Sequence, residues 1–141
     1  MNFMSDRAFL DTNVLVYAYD RSAPRKQVRA QELLKQGLEE DSAVLSVQVL
    51  GEFFVTVTRK IRTPLSLAEA REVVDMMAVL PLVDTDRPLN RRAIEICERH
   101  QISYWDALIV AAAQRASCGK VLSEDLQSGA TYDGVRIENP F

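Results

Sequence analysis

In Arg7-Ala8-Phe9-Leu10-Asp11-Thr12-Asn13-Val14-Leu15-Val16-Tyr17 a short apolar run stops at an aspartate, and a second apolar segment starts just past Asn13. Phe9 and Leu10 suit a strand buried on both faces, as in a parallel sheet. Thr12 and Asn13 are helix-starting residues, and the spacing predicts a short helix from Val14 to Asp20. Asp11 therefore stands at the carboxyl end of a strand beside a helix N-terminus, where open α/β sheets place their ligands. Aspartate is also a favoured helix cap. Position alone leaves both roles open.

Outward from this stretch, short apolar strands alternate with helical patterns. Pro24 opens a second helix expected to end at Gly37. Ala43 to Ser46 is a strand, and Ser46 caps a long helix over Val47–Arg62 whose apolar stripe includes Leu50, Phe53 and Val57. Pro64 breaks that helix. Ser66 and Glu69 form a capping box for a helix to about Val79. Pro81–Asp84 is a third strand, Asp86 and Pro88 start a helix to about Arg99, and Ser103 opens another to about Ala116. Lys120–Ser123 is a fourth strand and Val135–Ile137 a fifth. The alternation implies βαβ units, a mostly parallel sheet and one continuous domain over residues 1–141.

Three further acids occupy settings like that of Asp11. Asp106 is the only charge from Ile102 to Ala113, and Ala107 to Ala113 is apolar on every side, the pattern of a buried helix. A carboxylate at such a helix start is costly to bury without cations or N–H donors. A capping box with Ser103 is the plainer account of it, though that geometry also aims the carboxylate over the helix end. Glu52 lies roughly opposite Leu50, Phe54, Val57 and Ile61 on a helical wheel, the place of a solvated glutamate. Its position in the first two turns after a strand also allows it to point across a cleft. Asp125 follows the fourth strand within a turn rich in Ser, Asp and Gly, with Glu124 as a rival one residue away.

Hydrophobic residues make up 48% and charged residues 26% of 141 residues, the balance of a folded domain rather than a disordered tail. The longest apolar run is far short of the roughly 20 residues a membrane helix needs, and Met1 to Asp6 lacks the pattern of a secretory signal. Cys97 and Cys118 are too few for a disulfide framework, so a reduced, cytoplasmic setting is expected. A single histidine, His100, argues against most zinc sites. The net charge of −3 becomes +1 once the four acids are set aside. Basic residues cluster around Arg25, Lys26 and Arg29, at Arg59, Lys60 and Arg62, and at Arg87, Arg91 and Arg92. Such clusters are commonly solvated helix faces, and the alternative is contact with a phosphate backbone, for which Arg25, Lys26 and Arg29 are the first choice.

Four acids at one sheet edge repel each other unless protonated or bridged by a cation. Oxygen ligands alone point to a hard divalent ion, Mg²⁺ or Mn²⁺, and such an ion suits phosphodiester hydrolysis.

The chain resembles the PIN-domain nucleases, and among them the VapC-type toxins of toxin–antitoxin pairs. The matching pieces are Phe9 to Leu15, Ser46 to Phe53, Ser103 to Ile109 and Leu122 to Gly129, with Val135 to Phe141 similar to the family's C-terminus. The resemblance implies a three-layer α/β/α sandwich with a mostly parallel central sheet of order 3-2-1-4-5. It implies that Asp11, Glu52, Asp106 and Asp125 bind Mg²⁺ or Mn²⁺ and carry catalysis, oriented by Thr12 or Asn13 with Ser123. It also implies endoribonucleolytic cleavage leaving a 5′-phosphate and a 3′-hydroxyl, a homodimer, and a cognate antitoxin. One alternative is a PIN-like module that binds RNA or protein without cutting. Another is a phosphatase with Asp11 as covalent nucleophile, for which Asn13 stands where the second acid belongs.

Overall fold

The computed structural model describes residues 7–141, so the expectation for Met1 to Asp6 lies outside the described residues. The elements run β1 (Ala8–Leu10), α1 (Thr12–Tyr17), α2 (Pro24–Glu40), β2 (Ala43–Ser46), α3 (Val47–Arg59) and α4 (Leu67–Met77). They continue with β3 (Leu82–Val83), α5 (Arg87–His100), α6 (Tyr104–Arg115), β4 (Lys120–Leu122), β5 (Thr131–Tyr132) and β6 (Val135–Glu138). The sheet order is β3-β2-β1-β4-β6-β5. All pairings are parallel except β5 with β6.

The expected α/β architecture and 3-2-1-4-5 order hold for the parallel part, with β6 in fifth place. The correction is the sixth strand. β5 and β6 are joined by Asp133-Gly134, both at positive φ (49° and 87°), the two-residue hairpin turn that Asp-Gly favours. Tyr132-Asp133-Gly134-Val135 carries that signal in the sequence.

β1 is central, with Phe9 opposite Val44 on one side and Val121 on the other, and Phe9 is fully buried as a two-sided strand requires. The chain builds β1, β2 and β3 outward in one direction and returns to place β4 on the other flank. The carboxyl ends of β1 and β4 thus form the point where strand order reverses, and a crevice opens there. On α6, Ala107 to Ala113 are all buried, as the missing polar face predicts.

Several boundaries differ from expectation for identifiable reasons. α1 starts at Thr12 because Asp11 itself is the N-cap. α2 runs through Gly37 to Glu40 and ends at Asp41 in the left-handed region. Gly37 serves packing rather than termination: a Cβ there would lie 2.5 Å from the Ala43 side chain on β2. α3 stops at Arg59, and the Leu65 N–H returns to the Val57 carbonyl. No helix of the described residues is long and apolar enough to cross a membrane.

Candidate active site

Asp11 is the only buried charged residue among the described residues, at 8% exposure. Its Oδ1 accepts the Thr12 N–H at 2.8 Å. Its Oδ2 accepts the Ser123 hydroxyl at 2.7 Å and the Asn13 amide at 3.4 Å. Burial pushes the Asp11 carboxyl up to about 6; the Ser123 and Thr12 bonds pull it back, and the charges of Glu52 and Asp125 add to the rise.

Ser123 and Asn13 bring Asp125 in beside it. The Ser123 hydroxyl, fully buried, donates to Asp11 and accepts the N–H groups of Asp125 and Leu126, each at 3.1 Å. The Asn13 amide donates to Asp125 Oδ2 at 3.2 Å and lies 3.3 Å from Ser123 Oγ. Its oxygen accepts the Glu124 N–H at 3.0 Å, which fixes which way the amide faces. Glu124 itself turns away to Lys26, whose Nζ lies 2.6 Å from Oε1. Burial would raise the Glu124 carboxyl, yet Lys26 and the Tyr17 hydroxyl hold it below the usual range. Of the two neighbouring acids, Asp125 joins Asp11 and Glu124 does not.

Glu52 arrives from α3. The Thr12 hydroxyl donates to its Oε2 at 2.8 Å, so one residue holds both Asp11 and Glu52. Glu52 is exposed, as its place on the wheel predicts, and it belongs to the cluster all the same. Its other oxygen accepts the Gln48 amide at 2.8 Å, one helical turn earlier. The same amide lies 3.4 Å from the Trp105 carbonyl, tying the start of α3 to the start of α6, and Gln48 Oε1 is buried with no partner among the described residues. Sequence reasoning passed over Gln48. The available signal was its i,i+4 relation to Glu52.

Asp106 lies in the first turn of α6, where its N–H is capped by Ser103 at 3.1 Å. Only half of the expected capping box forms: no return bond from the Asp106 carboxylate exists among the described residues, unlike the complete box of Ser66 and Glu69. Gln48 brings the α6 start towards Glu52, but Asp106 is not joined to the other three acids. Asp11, Glu52 and Asp125 meet through Thr12, Asn13 and Ser123 rather than oxygen to oxygen. Among the described residues no group of three or more His, Cys, Asp or Glu side chains forms a ready-made metal cage. None of the four acids forms an ion pair among the described residues.

A cleft of about 960 Å³ opens from this cluster between α1 and α3, with Thr12, Asn13, Glu52 and Asp125 at one part and Lys60 and Arg62 among its other lining residues. The basic residues expected first at a phosphate backbone are placed differently. Lys26 is bound to Glu124 and sits over the Tyr17 ring, and Arg29 donates to the Pro140 carbonyl. Arg25 is exposed on α2. None of the three lines the cleft.

Among solved structures, the chain is similar to a toxin–antitoxin complex from Klebsiella pneumoniae, at 17% identity over 95% of this chain and 98% of that one, with a TM-score of 0.68. It is similar to the DNA-bound VapBC of Salmonella typhimurium at 19% identity, covering 96% and 98%, with a TM-score of 0.67. It is also similar to VapC20 of Mycobacterium tuberculosis, a toxin that cleaves the sarcin–ricin loop, at 21% identity, covering 84% and 91%, with a TM-score of 0.63. Identities this low speak for the fold. Comparison with curated proteins gives no match. The family model of the PIN domain matches residues 8–130, from β1 to the threshold of β5. That span holds all four acids and the residues that orient them, and the chain belongs to the PIN domain family.

Proposed function

We propose that this protein is a metal-dependent endoribonuclease and the toxin of a toxin–antitoxin pair. The observation that carries the proposal is the gathering of Asp11, Glu52 and Asp125 from three separate segments around Thr12 and Asn13, held by neutral donors and by no lysine or arginine. A carboxylate cluster left without internal cations suits a cation from outside. The donor chemistry, oxygen throughout, fits Mg²⁺ or Mn²⁺. Asp11, Glu52 and Asp125 would hold the ion, with Asp106 contributing from the start of α6. Shared fold with a sarcin–ricin-loop-cleaving toxin and with toxin–antitoxin complexes favours RNA as substrate and an antitoxin as partner. A homodimer is part of the same proposal.

When bound, the ion polarises phosphoryl oxygens and makes water a stronger nucleophile near neutral pH. The chain's own residues supply orientation. Ser123 fixes Asp11 against rotation while its lone pairs take two backbone N–H groups. Thr12 sets the spacing between Asp11 and Glu52, and Asn13 sets that between Asp11 and Asp125. Gln48 restrains Glu52 from the other side. Asn13 is held by these bonds, and its carboxamide is not an acid or base near neutral pH, which argues against a phosphatase built on Asp11 and its second neighbour.

One observation favours the alternative of a binding module that does not cut: among the described residues no hydrogen bond links the Asp106 carboxylate to the residues that hold the other acids. Incubation of the purified protein with mixed RNA, with Mg²⁺, with Mn²⁺ and with EDTA, followed by mapping of the cut ends, separates the two. The proposal expects metal-dependent internal cuts with 5′-phosphate ends. RNA that is bound and left intact in the presence of metal supports the non-cutting module.

A further inference from the structure

We infer that the cleft-facing side of α3 and the turn that follows it form a subsite for the backbone of single-stranded RNA, in which Lys60 and Arg62 bind phosphate flanking the one at the acids. The inference rests on the nuclease proposal and deepens it.

Glu52, Thr56 and Lys60, the last as the C-cap of α3, follow one another at i, i+4 and i+8, so they form one stripe along the helix to its end, and all three line the cleft. Val49, Leu50, Phe53 and Val57 face the core on the opposite side. Lys60 lies about 12 Å from Glu52 along the helix axis, at 1.5 Å per residue. An acid that serves a metal and a cation that serves a phosphate are therefore carried by one rigid element, too far apart to act on the same phosphate. The gap between them is floored by Val55 and Thr56, with Val16 from α1 and Ile61 beside it. This mixed surface suits a sugar and base.

Two further observations point to an occupant. Neither Lys60 nor Arg62 forms an ion pair among the described residues, in a chain whose net charge is negative. Lys26 and Arg29, by contrast, are held by Glu124 and by Pro140. Gly51 lies inside α3 and lines the cleft beside Glu52, and a Cβ built there meets no atom within 4 Å. Packing gives no reason for a glycine that weakens its helix. Its consequence is a bare stretch of backbone open to close approach next to the acids. Asp20, an acid that also lines the cleft, is engaged by the Ser22 N–H and hydroxyl, and the cations of the cleft are Lys60 at the C-cap of α3 and Arg62 just beyond it.

The test measures binding of a fluorescently labelled uridine 12-mer in Mg²⁺ across a salt series, in an Asp11→Asn background that keeps the RNA intact. Adding Lys60→Ala and Arg62→Ala is expected to lower the slope of log K against log salt by about 1.4, at about 0.7 per phosphate contact for single strands. Arg25→Ala with Arg29→Ala is expected to leave the slope unchanged, and Gly51→Leu to weaken binding by obstruction. Circular dichroism melts check that each variant is folded.

A bound 12-mer whose slope survives loss of Lys60 and Arg62 overturns the subsite alone. The same result accompanied by lost binding of poly-glutamate reassigns this face to an acidic polypeptide. A lowered slope in a protein whose wild type cuts no RNA leaves the subsite standing and overturns the nuclease proposal.

Discussion

Asp11 and Asp133 are both aspartates beside a strand end, both largely enclosed, and the protein treats them in opposite ways. Asp133 sits in the β5–β6 turn and receives Arg92 at 3.0 Å, Arg99, and His100 at 2.8 Å. Its carbonyl accepts the Gln114 amide at 2.9 Å, so the hairpin is pinned to α5 and α6 together. Asp11 receives a backbone N–H, a hydroxyl and an amide, and its charged neighbours are two more carboxylates. His100 and Arg99 hold the Asp133 carboxyl below its ordinary range, whereas burial lifts that of Asp11 to about 6. An acid that serves the fold is neutralised from within. Under the proposed function, one left costly in the resting fold is arranged for a cation that the chain does not supply.

The comparison breaks most visibly in catalysis. Asp11→Asn and Asp125→Asn should lower RNA cleavage by more than the roughly 10- to 100-fold that loss of a supporting group costs a metal site. Asp133→Asn should leave cleavage per folded molecule unchanged. A kinetic assay normalised to folded protein distinguishes the two. Equal losses at both positions contradict the division of roles.

Stability should reverse the ranking and also separate in pH. In metal-free protein, Asp11 titrates near 6 when folded and near 3.8 when unfolded, so the folded state holds its proton more tightly. Stability then falls as pH rises from about 4 to 6, and the cost is complete above that window. Asp11→Asn removes it. The gain should be absent below pH 4 and reach at most about 3 kcal/mol at pH 7, less whatever the weaker amide hydrogen bonds forfeit. Asp133 runs the other way. Its lowered carboxyl stabilises the fold above the ordinary aspartate range, and that contribution is lost as pH falls through the folded value. Asp133→Asn keeps a residue that tolerates the positive φ and should cost roughly 1–2 kcal/mol at neutral pH, because its arginine partners remain partly solvated. Denaturant melts of both variants from about pH 3 to 8 should show the Asp11→Asn gain growing between about pH 4 and 6, and the Asp133→Asn cost already present above about pH 4 and fading below it.

The smallest effect concerns α3. Gly51→Ala should stabilise the protein by up to about 1 kcal/mol, since helix propensity improves and the new methyl meets nothing. The same change should slow RNA cleavage by filling cleft space beside Glu52. A stabilised variant with unchanged cleavage would detach Gly51 from the site.

Much of this was legible in the sequence, and the gaps have physical causes. Period and caps gave the strands, the buried α6 and the capping box at Ser66, because local rules set them. Gly37 was misread as a stop because its reason is a contact with Ala43, six residues away on β2, that only the packed structure contains. The β5–β6 hairpin was missed although Asp-Gly announces it. Periodicity placed Glu52 in solvent, and it is in solvent; a wheel locates a residue relative to its own helix and not to the Thr12 hydroxyl, 40 residues away in sequence. The choice between Glu124 and Asp125 turned on Lys26, a partner nearly 100 residues distant. Charge clustering found Lys60 and Arg62 but ranked them behind Arg25, Lys26 and Arg29 on α2; the sequence does not reveal the internal partners of Lys26 and Arg29, nor that Arg25 lies outside the cleft.

The most direct test of the division between the two aspartates is the response of thermal unfolding to Mn²⁺. At a hundredfold excess over Kd the ion should stabilise the wild-type protein by about 2.7 kcal/mol. The account expects that increment to persist in Asp133→Asn and to vanish in Asp11→Asn and Asp125→Asn. A wild-type protein indifferent to Mn²⁺, or an increment that survives removal of the Asp11 charge, contradicts it.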